Sequence, residues 1–374
     1  MRIAYLAHSL ASCWNHGNAH FLRGVLRELR ARGHAVSAWE PEGAWSLDNL
    51  RRDHGEAGVA ASLAAYPDLP APRRHPGDGT GLDEALHDAD LVIVHEWNEP
   101  AVVAAVGRAR ASGGRFLLLF HDTHHRAVSD PEAIRRYDLS AYDGVLAFGE
   151  ALSEVYRRWG WPPGRVFTWH EAADARLFRP PEVEGDREGL VWVGNWGDDE
   201  RSAELVEFLL RPAGEVGLPL DIHGVRYPDH ALAALAGHGA RYRGWLPNAR
   251  APDAFARALA TVHVPRRPYT RMLPGIPTIR VFEALACGLP LATAPWDDAE
   301  GLFRPGQDYL VARDGAEMAR HLRALRSDPA LRASLAASGL ATTRARHTCA
   351  HRAEELLAVA ATLGAAGANA SAAA

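Results

Sequence analysis

The chain has 374 residues, of which 47% are apolar and 23% charged, with a formal net charge of -5. That is the composition of a folded globular protein with room for two or three domains, and it excludes a disordered or fibrous chain. All 41 basic residues are arginine, so mechanisms that turn on one lysine, among them P-loop hydrolysis, protein-kinase transfer and pyridoxal or Schiff-base chemistry, are excluded.

From the start, residues 2–7 read as a short buried strand, followed by the polar loop HSLASCWNHG. The run NAHFLRGVLRELRARG then sets Phe21, Leu22, Val25, Leu26 and Leu29 on one helical face, with Asn18 at the N-cap and Gly33 as the stop. Residues 34–39 give the next strand, and LVIVH (91–95), RFLLLFH (115–121) and GVLAF (144–148) recur as buried strands with helical stretches between them. Strands alternating with helices predict a parallel sheet covered on both faces. Residues 178–189, FRPPEVEGDREG, lack periodicity and read as a linker. Beyond it, GLVWVG, RSAELVEFLL, LPLDIHG and TVHV repeat the strand and helix alternation, and the final AAGANASAAA reads as a frayed tail. The fold class expected is α/β, two doubly wound domains facing a cleft, with ligands outside the carboxyl ends of the strands.

With no basic block, the charge pattern gives no footprint for nucleic acid or an anionic membrane, so the partners expected are small molecules. Cys13, Cys287 and Cys349 are odd in number and widely spaced, which suggests neither a disulfide framework nor a zinc site. No apolar run reaches membrane-spanning length, and the N-terminus lacks a signal-peptide core, so a reducing cytoplasm is the expected location.

The strongest local signal is LPGIPTIRVFEALACGLPLATA, residues 273–294. Thr278 can cap a helix through Cys287, with Gly288 ending it. At 100° per residue Ile279, Val281, Phe282, Leu285 and Ala286 share one face, and Arg280, Glu283 and Cys287 the other. In the functional reading the amides near Thr278 and Ile279, with Arg280, hold a diphosphate, and Glu283 accepts hydrogen bonds from a ribose diol. An exposed i,i+3 ion pair explains the same spacing equally well.

This run resembles the C-terminal signature of GT-B glycosyltransferases, of the CgeB-like, group 1 type. NHGNAHFLRGVLRELRARGHAV resembles their first loop and helix, WHEAADARLFRP their interdomain crossing, and WVGNWGDDERS, YRGWLP and FRPGQDYLVARDGAEMARHLRAL their C-terminal half. The resemblance implies a Rossmann-like acceptor-side domain at 1–177, a nucleotide-sugar domain at 190–345, and a C-terminal helix at 346–363 packing back on the first domain ahead of the tail at 364–374. It implies sugar transfer from a nucleotide-diphosphate sugar without metal or other cofactor, and places the ribose contact at Glu283. The second glutamate of many retaining members, eight positions earlier, is Gly275 here. The basic pair usual after the first strand of the second domain is also missing, leaving Arg201 and Arg271 as replacements. A solvated first-turn charge is the plainer reading of Arg201. Gly194 and Asn195 form a strand-end turn that can approach the diphosphate.

In the first domain, His121 and Asp122 end a strongly apolar strand and are the candidate bases toward an acceptor hydroxyl. The resemblance sets His121 near the donor sugar. The spacing H-x-x-H-H at 121–125 does not put two rings on one helical face, so no metal site is expected. His16, Gly17 and Asn18 at the helix entrance and Glu96 after LVIVH are candidate acceptor-side residues, with an ordinary helix start and a solvated loop acid as the plainer alternatives. Two other readings share the fold: a nucleotide-sugar 2-epimerase and a non-catalytic sugar-nucleotide binder.

Overall fold

A computed structural model describes residues 1–183 and 185–373. Residue 184, in the expected linker, and Ala374, at the end of the expected tail, lie outside the described residues. The chain divides into two compact units, residues 1–170 with 349–374, and residues 171–348.

The first unit contains β1 (Arg2–Leu6), α1 (Ala19–Ala31), β2 (Ala35–Pro41), α2 (Trp45–Ala64), β3 (Arg73–His75), α3 (Asp83–Leu86), β4 (Leu91–His95) and α4 (Pro100–Ala111). It continues with β5 (Leu117–Asp122), α5 (Arg126–Ser129), α6 (Pro131–Arg135), β6 (Gly144–Ala147), α7 (Glu150–Arg158) and β7 (Val166–Thr168). Its seven strands are all parallel in the order β3-β2-β1-β4-β5-β6-β7. Strand β4, LVIVH, is buried at every residue, as a central parallel strand covered by helices on both faces has to be.

The second unit contains β8 (Leu190–Val193), α8 (Ser202–Leu205), α9 (Arg211–Val216), β9 (Leu220–His223), α10 (Asp229–Gly237), β10 (Arg241–Gly244), α11 (Ala251–Arg257) and β11 (Ala260–His263). It ends with α12 (Arg267–Arg271), α13 (Ile279–Ala286), β12 (Leu291–Thr293), β13 (Leu310–Val311), α14 (Gly315–Ser327) and α15 (Pro329–Arg346). Six parallel strands run in the order β10-β9-β8-β11-β12-β13. Their core gathers Leu190, Trp192, Ile222, Val262 and Ala292 from the sheet with Leu209, Met318 and Leu322 from the helices. The last helix, α16 (Cys349–Ala373), belongs to the first unit; its span includes residues 364–373, read from sequence as frayed. It lies along α1, with Arg32 donating to the Ala350 carbonyl (3.2 Å) and the Trp169 indole to the Arg352 carbonyl (2.9 Å).

Both sheets are doubly wound. Strand order reverses between β1 and β4 in one and between β8 and β11 in the other, and each reversal opens a crevice at the carboxyl ends of the strands. The run 201–210, expected as one helix, divides into α8 and a π-helical segment, Val206–Leu210, before α9. Pro212, the second residue of α9, has no N–H to continue an i→i-4 ladder, and the wider turn absorbs the break.

Candidate functional site

The second unit's crevice is built on close backbone approach. A Cβ on Gly224 would stand 2.1 Å from the Gly194 carbonyl oxygen, so only glycine lets the loops after β8 and β9 touch. That carbonyl also accepts from the Tyr227 hydroxyl at 2.9 Å, and the Asn195 side chain accepts from the Val225 amide at 3.0 Å. Asn195 therefore fixes the turn with its own side chain.

Arg201 bridges the crevice. Its Nη2 donates to the Asn195 carbonyl after β8 (2.7 Å) and its Nη1 to the Val264 carbonyl after β11 (2.9 Å), while its guanidinium lies 5.0 Å from the Trp192 ring centre. The side chain is buried, which corrects the solvated-charge reading: it satisfies the strand-end carbonyls of a covered sheet, a role water would otherwise take. Burial and then the neighbouring Arg266 lower its pKa, with Arg280 pushing the same way. Three guanidinium groups thus lie near one another. Arg266, which the sequence reading missed, is paired with Glu200 (2.8 Å). Arg271 is exposed at the end of α12, with no ion-pair partner among the described residues.

Helix α13 starts beside this cluster. Thr278 stands at its N-cap position, but its hydroxyl makes no cap bond, so the first amides are left for another acceptor. The two-faced reading of this helix is corrected, because every residue of α13 except Arg280 is buried: β11 and β12 lie on one side and α15 on the other. The Arg280–Glu283 pair forms as the spacing predicts, yet Glu283 is fully buried, so this is not an exposed surface pair. A second carboxyl, Glu171, was not singled out in the sequence. Burial and then Glu283 hold its pKa well above the usual carboxylate range, against the pull of Arg280. Gly275 has φ +91°, and a Cβ there would meet Glu300 Cγ at 3.0 Å. The backbone at this position disfavours any side chain, glutamate included.

The first unit's crevice is lined by imidazoles. His8 follows β1 and His95 ends β4, their rings stacked with centres 5.6 Å apart, and His16 lies 4.2 Å from His8. The β4–β5 register sets His95 beside His121, at 5.4 Å. His16, His95 and His121 are buried, and His8 is half-buried. Burial lowers the pKa of His8 to about 4, helped by Arg126, and that of His121 to about 3. Burial also holds His16 and His95 well below their ordinary value, and their neighbours add to it. They are neutral at pH 7.

His121 Nδ1 is 2.6 Å from the Tyr5 hydroxyl, whose pKa is raised by burial and then by Glu96. Tyr5 thus engages Nδ1 and leaves Nε2 as the nitrogen open to a ligand, a donor when the phenol donates to Nδ1 and an acceptor when Nδ1 carries the ring N–H. Asp122 points to the other face of β5, as strand alternation requires, and accepts from the Tyr156 hydroxyl (2.6 Å) and the His124 amide (3.1 Å). The two nominated residues do not converge.

Glu96 is fully buried and paired with Arg126, which corrects the solvated-acid reading. Burial and the nearby Asp122 raise its pKa against the pull of Arg126, and burial raises that of Asp122. Arg126 also packs 3.9 Å from the ring centre of Trp97, an exposed indole next to Glu96. At the helix entrance, Asn18 takes the N-cap position of α1 without a side-chain cap bond, and Gly17 is half-buried. The loop before them is fixed by Arg23, which donates to the Leu10 carbonyl at 2.8 Å, and by Glu40, which accepts from the Leu10 and Ala11 amides at 2.6 and 2.9 Å.

Among the described residues no group of three or more His, Cys, Asp or Glu is placed to hold a metal ion. Among them, too, no helix is long and apolar enough to cross a membrane. The three cysteines are buried and carry no disulfide.

Two family models match the sequence: one described as Glycosyltransferase Family 4 over residues 17–177, and one described as Glycosyl transferase-like over residues 201–358. No curated protein matches it. Solved structures similar to the chain include sucrose-phosphate synthase from Thermosynechococcus elongatus, at 15% identity and TM-score 0.66, covering 98% of this chain and 100% of that one. HepE of Anabaena in complex with UDP-glucose gives 14% identity and TM-score 0.68, with 98% and 100% covered. A glycosyltransferase from Rickettsia africae gives 9% identity and TM-score 0.68, with 97% and 98% covered.

Proposed function

The chain belongs to the GT-B glycosyltransferases, and from that premise we propose that its donor is a nucleoside diphosphate sugar held by the second unit. Arg201, buried between the loops after β8 and β11, with Arg266 and Arg280 near enough to lower its pKa, carries this reading, because a buried cation among other cations favours an anion beside it. The uncapped amides at the start of α13 supply further donors to the same anion. Glu283, with Arg280 as its partner and Glu171 nearby, is positioned to accept from the ribose diol. The UDP complexes of HepE favour uridine as the base.

The diphosphate leaving group is stabilised by guanidinium groups and amides rather than by a divalent cation, which the three arginines would repel. No resident cofactor enters the scheme. In the first unit His121 offers Nε2 as a donor to a substrate hydroxyl. Asp122 and Glu96 form the acid-base pair. Burial and Asp122 raise the pKa of Glu96, and burial raises that of Asp122, which brings both carboxyls toward the range that suits removal of a proton from an acceptor hydroxyl. His16, Gly17, Asn18 and the exposed Trp97 line the acceptor side.

Titration calorimetry with UDP, uridine and UDP-glucose tests the donor assignment. Binding of UDP with uridine at least about tenfold weaker is expected, since the diphosphate supplies the charge-assisted bonds. Equal affinities would remove the anion site.

A further inference from the structure

The first unit contains a pocket of about 360 Å³ lined by residues of α6 and α7 and of the segments that follow them. That volume lies within the range of small-ligand sites. Tyr137 and Tyr156 line its floor, and Trp159, Trp161, Arg135 and Arg158 are among its walls. We propose that this pocket is a secondary saccharide site that takes a pyranose bearing an anionic group, a uronate or a sugar phosphate. The proposal deepens the sugar-transfer reading by naming a substrate class, and it rests on that reading.

The floor is rigid because both tyrosine hydroxyls are already engaged. Tyr156 donates to Asp122 at 2.6 Å and Tyr137 to the Glu96 carbonyl at 2.5 Å. Trp159 is fixed in turn, edge-on to Tyr156 at 5.4 Å and with the Arg135 guanidinium 5.2 Å from its ring centre. Trp161 is different. Half-buried at the mouth, its ring has no aromatic or cationic partner among the described residues, so a flat apolar surface is left for a ligand. A pyranose presents such a surface on its C–H face while keeping its hydroxyls at the edge.

The polar groups decide the charge of the occupant. Arg158 has no ion-pair partner among the described residues, whereas Arg135 is paired with Glu132 at 3.0 Å. Neither indole N–H of Trp159 or Trp161 has a hydrogen-bond partner among the described residues, and the lining includes no aspartate or glutamate. Uncommitted donors without a carboxylate match an acceptor-rich ligand with negative charge. Because Tyr137, Tyr156 and Trp159 are already held, only Arg158 and Trp161 have freedom to lose on binding.

The test titrates the full chain with glucuronate, glucose 6-phosphate, glucose and inorganic phosphate, followed by saturation-transfer NMR and tryptophan fluorescence. At least one anionic sugar should bind, with glucose and phosphate each about tenfold weaker or worse. Arg158→Gln and Trp161→Ala should each weaken the anionic sugar about tenfold, and Trp161→Phe should retain most of the affinity. Whether glucuronate or glucose 6-phosphate binds identifies the source of the charge. UDP affinity, measured on the same samples, should not change in these variants. UDP binding without sugar-acid binding would overturn the pocket alone, and the reverse would overturn the donor assignment alone. Glucose bound as tightly as glucuronate, affinity untouched by Arg158→Gln, or binding only to anionic lipid vesicles would each overturn the proposal.

Discussion

Glu283 is enclosed one turn into α13 with Arg280 across from it. If its carboxylate holds the ribose, Glu283→Ala should weaken UDP binding by about 1.5–3 kcal/mol, the range for hydrogen bonds to a charged group. Calorimetry reads this directly, and Glu283→Gln should recover part of the loss; an unchanged affinity would retire the assignment. His121 offers a sharper contrast, because its role depends on which nitrogen carries the proton. His121→Ala should lower kcat with UDP affinity intact, whereas His121→Asn, which keeps an N–H donor, should retain a substantial part of turnover. Equal loss in both would point back to a base. The sequence marked His121 and Glu283 through their motifs, but it could not show that Tyr5, 116 residues away, engages His121 Nδ1. Arg266 lay outside any pattern and Glu171 inside a segment read only as a crossing between domains; both became visible when folding set them near Arg201 and Glu283.

The strands that the sequence made plain are those buried on both faces. LVIVH is β4 residue for residue, and residues 144–147 of GVLAF form β6. β3, β7, β10 and β13 are two to four residues long, too short for a pattern to declare itself, and their place comes from pairing with a neighbour. Periodicity also misjudged α13, because a helix between a sheet and another helix has no wet side. The strand ends of the first unit carry a pH signature. His8, His16, His95 and His121 have folded-state pKa values below the unfolded 6.5, so the unfolded chain binds more protons as pH falls below that value and stability is lost. Glu96 and Asp122, with raised values, act in the opposite sense, gaining stability on acidification. These four imidazoles, with the buried His263 of the second unit, outweigh the raised carboxyls Glu96, Asp122 and Glu171, and Arg126 is charged throughout. The melting temperature should therefore fall between pH 7 and pH 5, and a flat or rising profile would show that these rings are not enclosed.

At the scale of the whole chain, each unit carries its own doubly wound sheet and its own crevice, and the chemistry is divided accordingly: cations in one, neutral imidazoles and two carboxyls in the other. The sequence announced this two-part plan through its alternation of strands and helices, and the last helix, α16, joins the first unit although it follows the second in the chain. If arginine takes the place of a divalent cation, as proposed, transfer should persist in excess EDTA, assayed by release of UDP; loss of activity restored by magnesium or manganese would contradict that scheme. The pKa of the guanidinium that joins the ends of β8 and β11 is lowered by burial and Arg266 to about 9, so the group stays charged through the neutral and acid range and its grip on a leaving group should loosen only in alkali. Acid-sensitivity of turnover then reports on carboxyls and imidazoles, those around β4 and β5 and Glu171 beside Glu283, and a rate profile separates the two kinds of group by the side of neutrality on which activity is lost.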